Sequence, residues 1–287
     1  MICRFAHFAA TMLLFGASAF VWALAPAGLA RDLTAPMRRI AAAAIVVAAI
    51  TALAWLGLEA GSMGEGWADV VNLDMLAGVL TDTAFGQIWL WRLALVAIFL
   101  VVLAFGRHDR WAFVTPASAL LLASLGLAGH AIMQIGGVGA LHRVNDALHL
   151  LVASAWVGGL VPFILCVNRF GDPALRSQAV LATRRYSTFG HLVVALVVAT
   201  GGVNVVLTLH AAPIPFATPY QTLLAAKIAM VAAMIATALF NRYVLVPRLN
   251  RNAFRAVAAL KFNGVAEIVQ AIIVITLVSV FGLLQPA

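Results

Sequence analysis

The sequence predicts an all-α, polytopic membrane protein of eight transmembrane helices with both termini on the outer side of the membrane. Three observations carry this. Hydrophobic residues fill 64% of the 287 positions and charged residues only 10%, where a soluble domain carries roughly a quarter. Mean hydropathy is +1.05. The apolar residues gather into runs of about 20, the length that crosses a bilayer as a helix.

The eight runs lie near 3–25, 38–60, 84–106, 112–134, 142–166, 186–210, 220–245 and 263–284. Between the second and third, Asp69 to Thr81 has helical patterning but is too short and polar to span, so 61–83 reads as an outer loop with an interfacial segment. The connections alternate in charge. Arg31, Arg38 and Arg39, then Arg107 and Arg110, then Arg169, Arg176, Arg184 and Arg185, then Arg242, Arg248, Arg251, Arg255 and Lys261 all follow odd-numbered runs. The positive-inside rule makes those connections cytoplasmic. Glu59, Glu65, Asp69, Asp74 and Asp82 fall on the other side, which in a bacterium is the periplasm. The net charge of +8 therefore sets orientation and does not signal nucleic acid. The first run could be mistaken for a signal peptide ending at Ala23-Leu24-Ala25. Pro26 disfavours cleavage there, and cleavage would leave three arginines outside.

The chain reads as one transmembrane domain, 1–287, with an internal repeat that divides it into halves 1–134 and 142–287. Phe5-Ala6-His7-Phe8-Ala9 with Gly16 aligns with Ala147-Leu148-His149-Leu150-Leu151 with Gly158. Phe85, Arg92 and Arg107 align with Tyr220, Lys227 and Arg242. Four helices per half gives a parallel repeat, whose halves face each other across a seam.

Five of seven histidines, His7, His130, His142, His149 and His210, fall toward the outer ends of these helices. An imidazole inside a membrane is costly unless it meets a partner or a ligand, so imidazoles at one depth suggest a shared metal site. His7, His130 and His149 are predicted at one level below the outer boundary, with His142 and His210 at the lip as gatekeepers. In the fifth run His142, Asn145, Asp146 and His149 share one helical face, and Asp146 is placed to hold a ring nitrogen not used by the metal. His130 and Met133 share a face of the fourth. Imidazole with thioether favours copper, Cu(I) especially, over magnesium or calcium, with zinc the alternative.

Other residues read more plainly. Met12, Met37, Met230 and Met234 suit packing. Arg92 and Lys227 suit snorkelling, pairing with outer acids or anion binding. Glu267 suits a relay or a pair with Lys261, and His191 has no evident partner. Cys3 and Cys166 sit a bilayer apart and cannot bridge. The sequence has no P-loop, nucleophile elbow or paired metal cysteines, so an enzyme is not expected.

The run Asp146-Ala147-Leu148-His149-Leu150-Leu151-Val152-Ala153-Ser154-Ala155-Trp156-Val157-Gly158-Gly159-Leu160 resembles the signature helix of the bacterial copper-resistance D (CopD) membrane proteins. Gly129-His130-Ala131, Arg4-Phe5-Ala6-His7, Leu223-Leu224-Ala225-Ala226-Lys227, Asn241-Arg242 and Ala266-Glu267 extend the likeness over the whole chain. The resemblance implies an inner-membrane protein of copper homeostasis that moves copper ions across the bilayer. It also implies a separate periplasmic copper-binding partner of the CopC type. By resemblance, His7, His130 and His149 are ligand candidates; Met133, His142, Asp146, Asn145 and His210 rest on spacing. The competing reading is a b-type haem protein for electron transfer or oxidoreduction, since two histidines on facing helices at equal depth also satisfy axial haem ligation.

Overall fold

A computed structural model describes residues 1–105, 111–127, 136–209, 218–248 and 253–284, and among them every regular element is helical. Helix α1, Ile2–Ala19, runs on through a π turn, Phe20–Leu24. Pro26 then turns the chain into α2, Ala27–Met63. A 3-10 turn, Trp67–Val70, and a short α3, Leu73–Asp82, follow, and the predicted interfacial segment is this pair. Asn72 starts α3 by accepting from the amides of Asp74 and Met75, the ordinary way an exposed helix end is satisfied. Next come α4, Ala84–Phe105; α5, Trp111–Ala123, with a 3-10 extension to Leu127; α6, Gly136–Val157; and α7, Leu160–Asn168. Helix α8 covers Arg176–Leu209 and α9 Pro219–Phe240, the latter opened by a Thr218 and Gln221 capping box with Pro219 in its first turn. A π turn and a last helical turn take α9 on to Arg248, and α10 is Ala253–Phe281.

Seven of these stretches are long and apolar enough to cross a membrane: Ile2–Leu24, Ala27–Met63, Ala84–Val102, Gly136–Gly171, Arg176–Leu209, Pro219–Arg248 and Arg255–Phe281. Trp111–Leu127 is apolar but shorter, about 25 Å at the helical rise, and the rest of the predicted fourth run lies outside the described residues. Large apolar side chains such as Ile50, Leu53, Leu120, Val144 and Phe262 point outward, as they do when lipid is the solvent.

Several boundaries differ from the expected ones for a common reason. Helices α2 and α8 begin near residues 27 and 176, not 38 and 186, so arginines assigned to loops stand on helical turns. Leu29, Leu33 and Met37, spaced by four, are fully buried against Phe163, Cys166, Val167 and Ala179, and that packing carries the helix beyond its apolar run. The Asp32 and Arg169 side chains bridge the same end at 2.7 Å. The fifth run starts at 136 and breaks at Gly158-Gly159 before α7.

Helix α1 is the axis of the bundle and packs on α2, α5, α6 and α10. Its small residues make this possible. A methyl group at Gly16 would fall 2.6 Å from the Cα of Gly158, and one at Gly158 would fall 2.9 Å from the Cα of Gly16, so α1 and α6 meet backbone to backbone. Met12, Met37 and Met234 are buried core residues, as expected, and Met230 is half-buried. Two ends of the bundle can be told apart: a basic end with Arg31, Arg169 and Arg185, and an acidic end with Glu59, Asp69 and Asp82. Arg4 Nη1 donates to the Gly282 carbonyl at 2.7 Å, so the first and last helices share the acidic end. Helix α5 runs between the ends, with Trp111 Nε1 on Thr34 Oγ1 at 3.4 Å and the Leu121 carbonyl under Arg92 at 3.0 Å.

The seam makes a sharp prediction. Gly16→Ala should destabilise the protein by about 1–3 kcal/mol, because the added methyl meets backbone that cannot move aside. Gly202→Ala on α8, with nothing within 4 Å of its Cβ, should cost nothing. Thermal unfolding of the two variants in detergent checks this; equal midpoints would disprove the tight seam.

Candidate metal site at the acidic end

His7 on α1 and His149 on α6 stand at the same depth. Each lies nine residues before the glycine at which the two helices touch, about 13 Å along the axis. The local chemistry of the two rings also matches. His7 Nδ1 lies 2.8 Å from Thr51 Oγ1 on α2, and His149 Nδ1 lies 2.8 Å from Thr200 Oγ1 on α8. Each threonine hydroxyl gives its own hydrogen to the carbonyl four residues back, Val47 or Leu196, at 2.6 Å. With its hydrogen committed, the threonine oxygen can only accept, so Nδ1 of each histidine carries the proton and Nε2 keeps its lone pair. In this tautomer Nε2 is the ring atom that could bind a metal ion.

Beyond that shared core the two surroundings diverge. His7 is fully buried among Trp55 and Trp89, whose ring centroids lie 5.8 and 6.1 Å from its own. Arg92, also fully buried, donates from Nη2 to His7 Nε2 and from Nη1 to the Leu121 carbonyl and Ser124 Oγ, with its guanidinium 5.0 Å over the Trp89 ring. Both ring nitrogens of His7 are thus engaged. Arg92 is neither snorkelling nor ion-paired: among the described residues no carboxylate lies within 4 Å of it.

His149 is half-buried, with Gly201 on α8 leaving room for its ring; a methyl there would sit 3.3 Å from Cε1. Its neighbours on α6 are polar. Asn145 donates to the Thr200 carbonyl at 2.9 Å and to Asn204 Oδ1 at 2.6 Å, and Asn204 donates to Asp146 Oδ1 at 3.0 Å. This corrects one expectation: Thr200, not Asp146, takes the Nδ1 proton of His149, while Asp146 anchors Asn204. The reason is geometric. Thr200 and Asn204 both stand on α8 against this face of α6, so Thr200 meets the ring nitrogen while Asn204 occupies the carboxylate of Asp146.

His142, predicted at an open lip, is 3% exposed, because α6 starts six residues before it. His130, Met133 and His210 lie outside the described residues. Among the described residues, no three His, Cys, Asp or Glu side chains are gathered as for a metal ion. His191 has a partner after all: Tyr243 lies 2.9 Å from its Nε2. Lys227 Nζ is 5.8 Å from the centre of the Phe281 ring. Cys3 and Cys166 are free thiols.

Thr51, Thr200 and Asn204 went unnoticed in the sequence. The histidine-to-threonine separations are 44 and 51 residues, and the extra α7 in the second half hides the correspondence. A search for hydroxyl residues in the apolar helix packed beside each histidine helix would have found both.

Comparison with known proteins places this geometry. Residues 1–140 match the family described as Copper resistance protein D-like, N-terminal domain, and residues 180–281 match Copper resistance protein D. Inner membrane protein YebZ of Escherichia coli (strain K12) is 35% identical over 99% of this chain and 97% of its own. Copper resistance protein D of Pseudomonas syringae pv. tomato is 29% identical over 99% of this chain and 95% of its own. Copper transport protein CutJ of Bacillus subtilis (strain 168) is 27% identical over 72% of this chain and 40% of its own. No solved structure matches. The chain belongs to the copper resistance protein D family and is a multi-pass protein of the inner membrane.

Proposed function

We propose that this protein binds copper ions at the acidic, periplasmic end of the bundle and passes them toward the cytoplasm. The observation that carries the reading is His149: a half-buried imidazole with Nδ1 tied to Thr200 and Nε2 left to a soft metal ion. The names of two relatives, a copper resistance protein and a copper transport protein, agree with it. His130 and Met133 are the proposed co-ligands. Asn145 and Asp146 brace the site through Asn204. His7 joins only when Arg92 releases its Nε2, so Arg92 acts as a cationic cap that a copper ion must displace.

The topology proposed with this function has eight crossings, Trp111–Leu127 belonging to the fourth, and both termini in the periplasm. The contact of Arg4 with Gly282 supports an even number of crossings, and the charge of the two ends supports the orientation. Four helices per half, α1, α2, α4 and α5 against α6, α8, α9 and α10, form a parallel repeat within one domain. The matched histidine–threonine pairs support it. The protein works as a carrier and not as an enzyme, and takes copper from a separate periplasmic copper-binding protein of the CopC type.

His149→Ala is expected to abolish tight copper binding by the purified protein, read by metal analysis after dialysis. Thr200→Val, which keeps the shape but removes the acceptor, should weaken affinity about 10–100-fold. Copper retained at full stoichiometry by His149→Ala refutes the site. A Soret band that shifts on reduction would assign these histidines to haem instead. Stability should rank the other way. Thr51→Val leaves a fully buried Nδ1–H unpaired at a cost of about 1–3 kcal/mol, more than Thr200→Val beside a ring that water can reach. Thermal midpoints of the two variants compare them.

A further inference from the structure

The acidic end does not hold the only buried ionisable group that the copper reading leaves without a task. Glu267, on α10 toward the basic end, is 3% exposed. Both its carboxylate oxygens are held by uncharged donors from other helices: Trp156 Nε1 on Oε2 at 3.2 Å and Asn241 Nδ2 on Oε1 at 2.8 Å. A second layer fixes those donors. Asn263 donates to Asn241 Oδ1 at 2.7 Å, and Tyr186 donates to the Trp156 carbonyl at 2.6 Å. Among the described residues no Lys, Arg or His nitrogen lies within 4 Å of Glu267. The expected pair with Lys261 is not formed.

A cavity of about 570 Å³ adjoins the carboxyl and extends past His191 and Arg242 to Leu24, whose carbonyl accepts from Arg185 at the basic end. The titratable or charged groups lining it are Tyr186 and His191 on α8 and Arg242 on α9; α1 and α5 contribute none. His191 is turned to Tyr243, and Arg242 reaches Ser187 Oγ at 3.4 Å. None of the three offers Glu267 a counter-charge by contact.

A carboxylate in hydrocarbon needs a cation, and two neutral hydrogen bonds do not supply one. Its hard oxygens are a poor match for Cu(I), and no thiol or thioether lines the cavity among the described residues. We propose that Glu267 is a proton-binding site that loads and unloads through this cavity from the basic side of the membrane. The step involves no redox change: a proton adds to a carboxylate oxygen as the water that delivered it leaves through the cavity. Trp156 and Asn241 are positioning residues that hold the ionised form long enough for exchange. The site stands independently of the copper reading, since its occupancy can be read with no metal present.

The test uses the whole protein in nanodiscs, labelled with dicyclohexylcarbodiimide, which modifies protonated carboxyls in apolar surroundings, and analysed by peptide mass spectrometry. The Glu267 peptide should take up the label in acid and progressively less as the pH is raised. Trp156→Phe, which removes one hydrogen bond to the carboxylate, should retain about twofold or more label at the alkaline end. Absence of label at Glu267 at every pH, or labelling that ignores pH in the unaltered protein, would overturn the proposal. Glu267→Gln identifies the labelled position, and the unaltered protein decides the matter should Trp156→Phe fail to fold.

Discussion

A ring nitrogen that donates a hydrogen cannot be left bare in a bilayer, and this protein meets that requirement twice in the same way. His7 and His149 each give the Nδ1 proton to a threonine that has already spent its own on a helical carbonyl. The relay does more than satisfy a donor. It fixes the tautomer, orients the ring and leaves Nε2 as a lone pair pointing away from the supporting helix. It also ties α1 to α2 and α6 to α8, the pairs on which each part of the bundle is built. The close approach of Gly16 and Gly158 then brings the two histidine helices together at one depth.

What surrounds the two rings separates their work. Tryptophans and a buried guanidinium close around His7, so its lone pair is spent inside the protein. Asparagines and Asp146 lie beside His149, a more polar setting than the one around His7. A guanidinium with no acid to neutralise it sits stably at Arg92 because a neutral imidazole, a carbonyl and a hydroxyl accept from it and an indole ring lies beneath it. The same positive charge opposes a second cation at His7. The two rings therefore differ in what their Nε2 atoms meet: that of His7 is taken by Arg92, and that of His149 is not.

Much of this was legible in the chain. Helix class, membrane insertion, the short helical segment after α2 and the pairing of His7-Gly16 with His149-Gly158 follow from apolar run length and spacing, which are local properties. The ends of the helices were not legible. Leu29, Leu33 and Met37 extend α2 through an arginine-rich stretch because of what they pack against on α7 and α8, and no local pattern contains that information. The same limit explains the partners. Asp146 was an evident support for His149 because it is close in sequence. Thr200 is the actual one, and it is close only in space. Arg92 read as a snorkelling, acid-paired or anion-binding cation; its burial against His7 depends on the Trp89 indole of its own helix and on a carbonyl from α5 and an imidazole from α1, which are close only in space. Family resemblance carried over histidines alone, since threonine in an apolar helix is unremarkable until its neighbour is known.

The account turns on the protonation pattern of two rings, and solid-state nitrogen NMR of protein labelled at histidine reads it directly. With His7→Gln and His149→Gln used for assignment, both rings should show a protonated Nδ1 and an unprotonated Nε2 before copper is added. Copper(I) should then perturb Nε2 of His149 first and leave Nδ1 protonated. A proton on Nε2 of His149 in the metal-free protein, or a copper response at Nδ1, would contradict the account.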